Sequence, residues 1–118
     1  IPEVIRIGTH LGGQAETFLG LSGLGDMLAT CTSPLSRNYR VGYGLSQGKD
    51  LKQILADLGS TAEGVNTTEV LVTIANREEI PAPIARQVYR LLKGTITANE
   101  AVEALMAREL KPESCDLL

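Results

Sequence analysis

Three consecutive residues, Ser36-Arg37-Asn38, are the first place where this sequence offers chemistry rather than packing. Ser36 follows Pro34-Leu35 and precedes a run with Val41, Tyr43 and Leu45 that reads as a helix, so it is a natural N-cap. Arg37 and Asn38 then fall in the first turn, where unpaired backbone N–H groups and the helix dipole favour an anion. Arg37 adds a planar fork suited to phosphate, and Asn38 offers both a donor and an acceptor. A phosphorylated small molecule fits such a place. Taken alone, the triplet also reads as a capped surface helix with a solvated arginine.

Just upstream, Gly20-Leu21-Ser22-Gly23-Leu24-Gly25-Asp26 crowds three glycines around hydroxyl and acidic groups. Such glycines permit tight turns or a close approach of backbone and cost helix stability, so core packing alone does not explain them. Asp26 reads either as the N-cap of the Met27–Thr32 segment or as a carboxylate that orients a basic catalyst. Thr30 lies one helical turn on, so both side chains can face one pocket and serve supporting roles. Glu63, in Ala62-Glu63-Gly64, is expected in a loop just before a helix, where alone it would be a surface acid. Cys31 reads as a small buried apolar residue, since no histidine lies near it in sequence. His10, the single histidine, reads as a polar position on the first helix and is assigned nothing.

The elements that must position these residues are helical. Pro2 suits a first helical turn, and Val4, Ile5, Ile7 and Leu11 recur at helix-face spacing until Gly12-Gly13 stops the run. Asp50 can cap a helix with Leu51, Ile54, Leu55 and Leu58 on its apolar face, ended by Gly59. Asn66 or Thr67 is expected to open another, with Val70, Leu71, Ile74 and Ala75 facing inward. After Pro81 and Pro83 a helix carries Ile84, Val88, Leu91 and Leu92 up to Gly94, and Thr97 to Glu100 has capping-box spacing before Ala101, Val102, Leu105 and Met106. The pattern predicts six or seven short helices and an all-α fold. The period is lost from Lys111 onward, which predicts a compact domain over residues 1–112 and a tail over 113–118.

Bulk composition excludes several classes. With 118 residues the chain can bury one core. A formal net charge of −3 provides no general basic field for nucleic acid or an anionic membrane, and 3 % aromatic content with no Trp gives no base-stacking surface. No apolar run reaches the roughly 20 residues of a membrane span. Two cysteines, Cys31 and Cys115, suggest no disulfide framework, and one histidine makes a zinc site poor, so a reducing cytoplasm fits. There is no strand–GxGxxG–helix unit, hence no nucleotide fold of that type within these residues. The chain starts at Ile1 without Met and reads as a piece of something longer.

At this point the residues carry a resemblance. The stretch GLSGLGDMLATCTSPLSRNYRVG resembles the GLAGLGDLxLTCTxxxSRNRxxG signature of bacterial NAD(P)-dependent glycerol-3-phosphate dehydrogenases. Ala62-Glu63-Gly64-Val65-Asn66-Thr67 resembles that family's VEGxxTT-type segment downstream, and the likeness runs through about residue 112.

The resemblance implies a C-terminal helical domain like that of 6-phosphogluconate dehydrogenase relatives, with a Rossmann domain expected upstream. The implied reaction interconverts sn-glycerol 3-phosphate and dihydroxyacetone phosphate with NAD or NADP for glycerophospholipid synthesis. Asp26, Ser36, Arg37 and Asn38 match the family's substrate contacts; Arg37 and Glu63 match cofactor contacts. Thr61 stands where the family usually has a Val touching the cofactor, so that contact holds only if backbone makes it. The family's catalytic Lys would lie upstream of Ile1, and no lysine occurs here before Lys49. Implied partners are the substrate, the upstream domain and a second copy in a homodimer. Two other readings stand beside this one: the helical half of a dehydrogenase for a different hydroxy acid, and a non-enzymatic helical interaction module.

Overall fold

The computed structural model describes residues 1–110; the expected tail over 113–118 lies outside them. The described residues form eight α-helices and no strand, so the all-α expectation holds. They are α1 (Pro2–His10), α2 (Ala15–Leu19), α3 (Asp26–Cys31), α4 (Arg37–Ser46), α5 (Leu51–Leu58), α6 (Glu63–Arg77), α7 (Pro83–Leu92) and α8 (Ala98–Met106), with a π turn (Leu21–Gly25) between α2 and α3.

Local chemistry explains most of the boundaries. The Ser36 hydroxyl accepts the Tyr39 N–H at 3.3 Å, and an Asp50 carboxylate oxygen accepts the Gln53 N–H at 2.8 Å. Gly59 ends α5 in the left-handed conformation at φ 65°. Thr97 and Glu100 form the expected capping box, with both bonds at 3.2 Å.

Two boundaries differ from expectation. Between Gly13 and Asp26 lie α2 and the π turn, which the sequence pattern does not announce, and α2 raises the helix count among the described residues to eight. Gly23 makes the π turn possible, because a Cβ there would lie 2.5 Å from the Phe18 carbonyl carbon. Helix α6 opens at Glu63 rather than at Asn66 or Thr67. Its early start is stabilised by a residue far away in sequence: Asn38 accepts the Gly64 N–H at 3.0 Å and so caps α6 from α4.

Helix α6 is the central element, running between two cores. Near its end, Ala75 joins Ile7, Ile80 and Ala82 in one buried cluster, flanked by Leu71, Ile74 and Ala85. Near its start, Val65 flanks a second cluster of Val41, Ile54 and Ala62. Gly44 lets α4 and α5 approach, since its Cβ would sit 2.8 Å from the Ile54 side chain. On α1 the inward residues are Ile5 and Ile7; Val4 is exposed, and so is Leu11, which lies just past the end of the helix. Glu3 is buried too, and its carboxylate accepts the N–H groups of Ile84 and Ala85 at 3.0 and 3.1 Å. An acid on α1 thereby caps the proline-initiated N-terminus of α7.

Candidate functional site

The π turn delivers Asp26 as the first residue of α3, on the surface. Its carboxylate does not cap that helix, which corrects the N-cap alternative: Gly25 precedes it in helical conformation, so the π turn runs into α3 without a free helix end. Among the described residues the Asp26 carboxylate has no hydrogen-bond or ion-pair partner. Its backbone carbonyl accepts the Thr30 hydroxyl at 2.8 Å, which orients Thr30 one turn on.

Between α3 and α4 lies an open cleft of about 420 Å³. Thr30 and Cys31 line it from α3, and Ser36, Asn38, Tyr39 and Tyr43 from the α4 side. Cys31, expected to be buried, is exposed, because α3 has no buried residue at all and ends at the mouth of this cleft. Tyr39 and Tyr43 were not singled out from the sequence; their four-residue spacing on one face of α4 was the available signal.

Arg37 turns away from the cleft toward the entrance of α6, and Asn38, at the cleft wall, reaches the same entrance with its side-chain oxygen. Arg37 donates from Nη1 to the Thr61 carbonyl at 3.3 Å, while Asn38 holds Gly64. These two bonds cross between segments 24 and 26 residues apart and bring Glu63, the first residue of α6, beside the Ser36–Asn38 turn. Glu63 therefore belongs to a helix rather than to the loop expected of it, since Asn38 pulls the helix start upstream. Thr61 enters through its backbone: the carbonyl serves Arg37 and the side chain is exposed.

The two arginines of the segment have different duties. Arg40 donates from Nε to the Pro34 carbonyl at 2.9 Å and fixes the loop that precedes α4. Arg37 is exposed at N1. The Ser36 hydroxyl takes the Tyr39 N–H and the Ser36 carbonyl takes the Arg40 N–H, leaving the Arg37 and Asn38 N–H groups without acceptors inside the helix. A donor-rich helix start with a guanidinium suits a phosphate.

A pKa shift occurs away from this site. The Glu78 carboxyl is held below its ordinary range by hydrogen bonds from Arg77, at 2.9 Å, and from His10, at 3.4 Å. That exposed cluster joins the end of α1 to the end of α6. Among the described residues no group of three or more His, Cys, Asp or Glu gathers to hold a metal, and no helix is long and apolar enough to cross a membrane.

The family whose sequence model describes the C-terminus of NAD-dependent glycerol-3-phosphate dehydrogenase matches residues 1–103. The chain belongs to this family. A glycerol-3-phosphate dehydrogenase [NAD(P)+] of Acaryochloris marina is 76 % identical over all 118 residues, which cover 38 % of that protein. The corresponding protein of a Synechocystis strain is 69 % identical over 96 % of this chain and 36 % of its own length. A crystal structure of glycerol-3-phosphate dehydrogenase from Coxiella burnetii matches the fold with a TM-score of 0.86 and 37 % identity, over 90 % of this chain and 33 % of that one. The chain thus spans little more than a third of the length of the relatives it matches.

Proposed function

We propose that this chain is the substrate-binding domain of an NAD(P)-dependent glycerol-3-phosphate dehydrogenase, completed by a dinucleotide-binding domain upstream. The reaction interconverts sn-glycerol 3-phosphate and dihydroxyacetone phosphate and serves glycerophospholipid synthesis in the cytoplasm, in a homodimer. One observation carries the reading: Arg37 and Asn38, in the first turn of a Ser36-capped helix, both bond to the 61–64 segment. A phosphate-suited helix start and a segment suited to the cofactor become one site at the edge of the domain.

In this reading, Ser36, Arg37, Asn38 and the free N–H groups of the first turn of α4 hold the substrate phosphate. Asp26, exposed and unpaired within the described residues, holds the catalytic lysine of the upstream segment in place and in charge, and Thr30 supports the same side. Arg37, the Thr61 backbone and Glu63 lie where the cofactor is held. The fit is chemical: the guanidinium suits the anionic groups of a dinucleotide and an exposed carboxylate suits its hydroxyls. The nicotinamide, when bound, supplies the hydride chemistry. The residues of this chain orient the substrate and hold its charge.

The test is turnover by the full-length protein with NADH or NADPH and two substrates, dihydroxyacetone phosphate and unphosphorylated dihydroxyacetone. We expect turnover of the phosphate ester, with at least about a hundredfold lower kcat/KM without the phosphate, and none from the 118-residue chain alone. Equal use of both substrates, or turnover by the isolated chain, contradicts the assignment.

A further inference from the structure

We propose that Gly64 is a positioning residue that keeps the substrate side and the cofactor side of this site in register, by leaving space for the Asn38 amide against the first turn of α6. The inference rests on the function proposed above and concerns a residue to which that function assigns no role.

Gly64 is the second residue of α6 and half-buried, and it is not among the glycines with positive φ. Its backbone conformation therefore makes no demand for glycine, and alanine is the better helix former at such a position. The demand comes from Asn38. A Cβ on Gly64 would lie 2.7 Å from Asn38 Oδ1, 2.9 Å from Cγ and 3.0 Å from Nδ2. All three atoms belong to the end of one side chain on an exposed helix turn, which can swing aside. The consequence of a methyl group here falls on where the Asn38 amide sits rather than on the fold.

Gly44 makes the contrast. A Cβ there meets Ile54 inside a buried cluster, so its smallness serves packing. The closeness at Gly64 instead serves an orientation. Because the Gly64 N–H can bond only to an acceptor, the Asn38 oxygen faces α6 and the amide NH2 is the half left over. An NH2 group donates to a phosphate oxygen, and an amide already turned that way needs no reorientation when the anion binds. The bond also ties the Asn38 position to Glu63, next to Gly64 in the chain. Losing the close approach disturbs the phosphate contact and loosens the Glu63 turn together.

The experiment is a double-mutant cycle in the full-length enzyme with Asn38→Ala, Gly64→Ala and the pair, measuring kcat and KM for dihydroxyacetone phosphate and for the reduced cofactor, and melting temperature. We expect Gly64→Ala to melt within a few degrees of wild type, because the helix propensity of alanine offsets the lost Asn38 cap, yet to lower kcat/KM for dihydroxyacetone phosphate by about tenfold, mostly through KM, with a smaller rise in the cofactor KM. The double variant should be no more than about twofold worse than Asn38→Ala alone, because both changes remove one interaction. Multiplicative losses would show that Gly64 does not act through Asn38 and would overturn the inference while leaving the function standing. Wild-type kinetics in Gly64→Ala, or a lost activity that follows a collapsed melting temperature, would overturn it as well. Failure of the wild-type enzyme to use dihydroxyacetone phosphate would remove the function and the inference together.

Discussion

Helix α6 and the segment from α2 to α3 divide the labour of this domain. Helix α6 contributes to both buried clusters, and Ala75 is completely enclosed. The α2–π turn–α3 segment, residues 15–31, has no buried residue, and its leucines are open, with Leu21 91 % and Leu28 65 % exposed. Yet its local geometry is strict, since Gly23 sits against the backbone of Phe18. The difference teaches that the glycine-rich sequence is shaped for what it presents, not for what it buries. The exposed Asp26 and one wall of the cleft belong to this loosely covered half, while the other wall is α4, whose Arg37 and Asn38 run anchoring bonds back to the α6 half.

The contrast can be broken by truncation. In the isolated chain, which we expect to unfold in urea in a single transition, Ile54→Ala should cost about 2–5 kcal/mol, because Ile54 is 5 % exposed in a packed cluster. Glu3→Ala comes next, at about 1.5–3 kcal/mol, through loss of the carboxylate that accepts two backbone N–H groups at the start of α7. Leu28→Ala should stay within about 0.5 kcal/mol. A Leu28 effect equal to that of Ile54 would mean that the glycine-rich segment is held by packing after all. A silent Glu3→Ala would mean that α7 needs no cap from α1.

Much of this was legible in the sequence, because it depends on neighbours along the chain. The caps at Ser36, Asp50 and Thr97 and the glycine stop at Gly59 appear as expected. The four residues that match the family's substrate contacts stand out because they fall in one uninterrupted motif, and their role is the proposal made above. What was not legible depends on contacts between distant segments. The start of α6 is set by Asn38, and no local signal at Glu63 announces it. Cys31 is of a type common in cores but occupies a helix with no buried residue. Tyr39 and Tyr43 become cleft residues only because α3 folds beside α4. Gly64 looks like an unremarkable loop glycine until Asn38 is placed against it.

The central claim is that the start of α4 holds the substrate phosphate through Arg37, and it can be measured in the full-length enzyme. Arg37→Ala should lower kcat/KM for dihydroxyacetone phosphate by about ten- to a hundredfold or more, the effect of losing roughly 1.5–3 kcal/mol in a charge-assisted hydrogen bond. Because Arg37 is exposed and makes one 3.3 Å bond within the domain, stability should change by no more than about 0.5 kcal/mol. Arg37→Lys should recover only part of the activity, since an ammonium keeps the charge and loses the fork. Wild-type kinetics in Arg37→Ala, with an unchanged melting curve, would contradict the phosphate assignment.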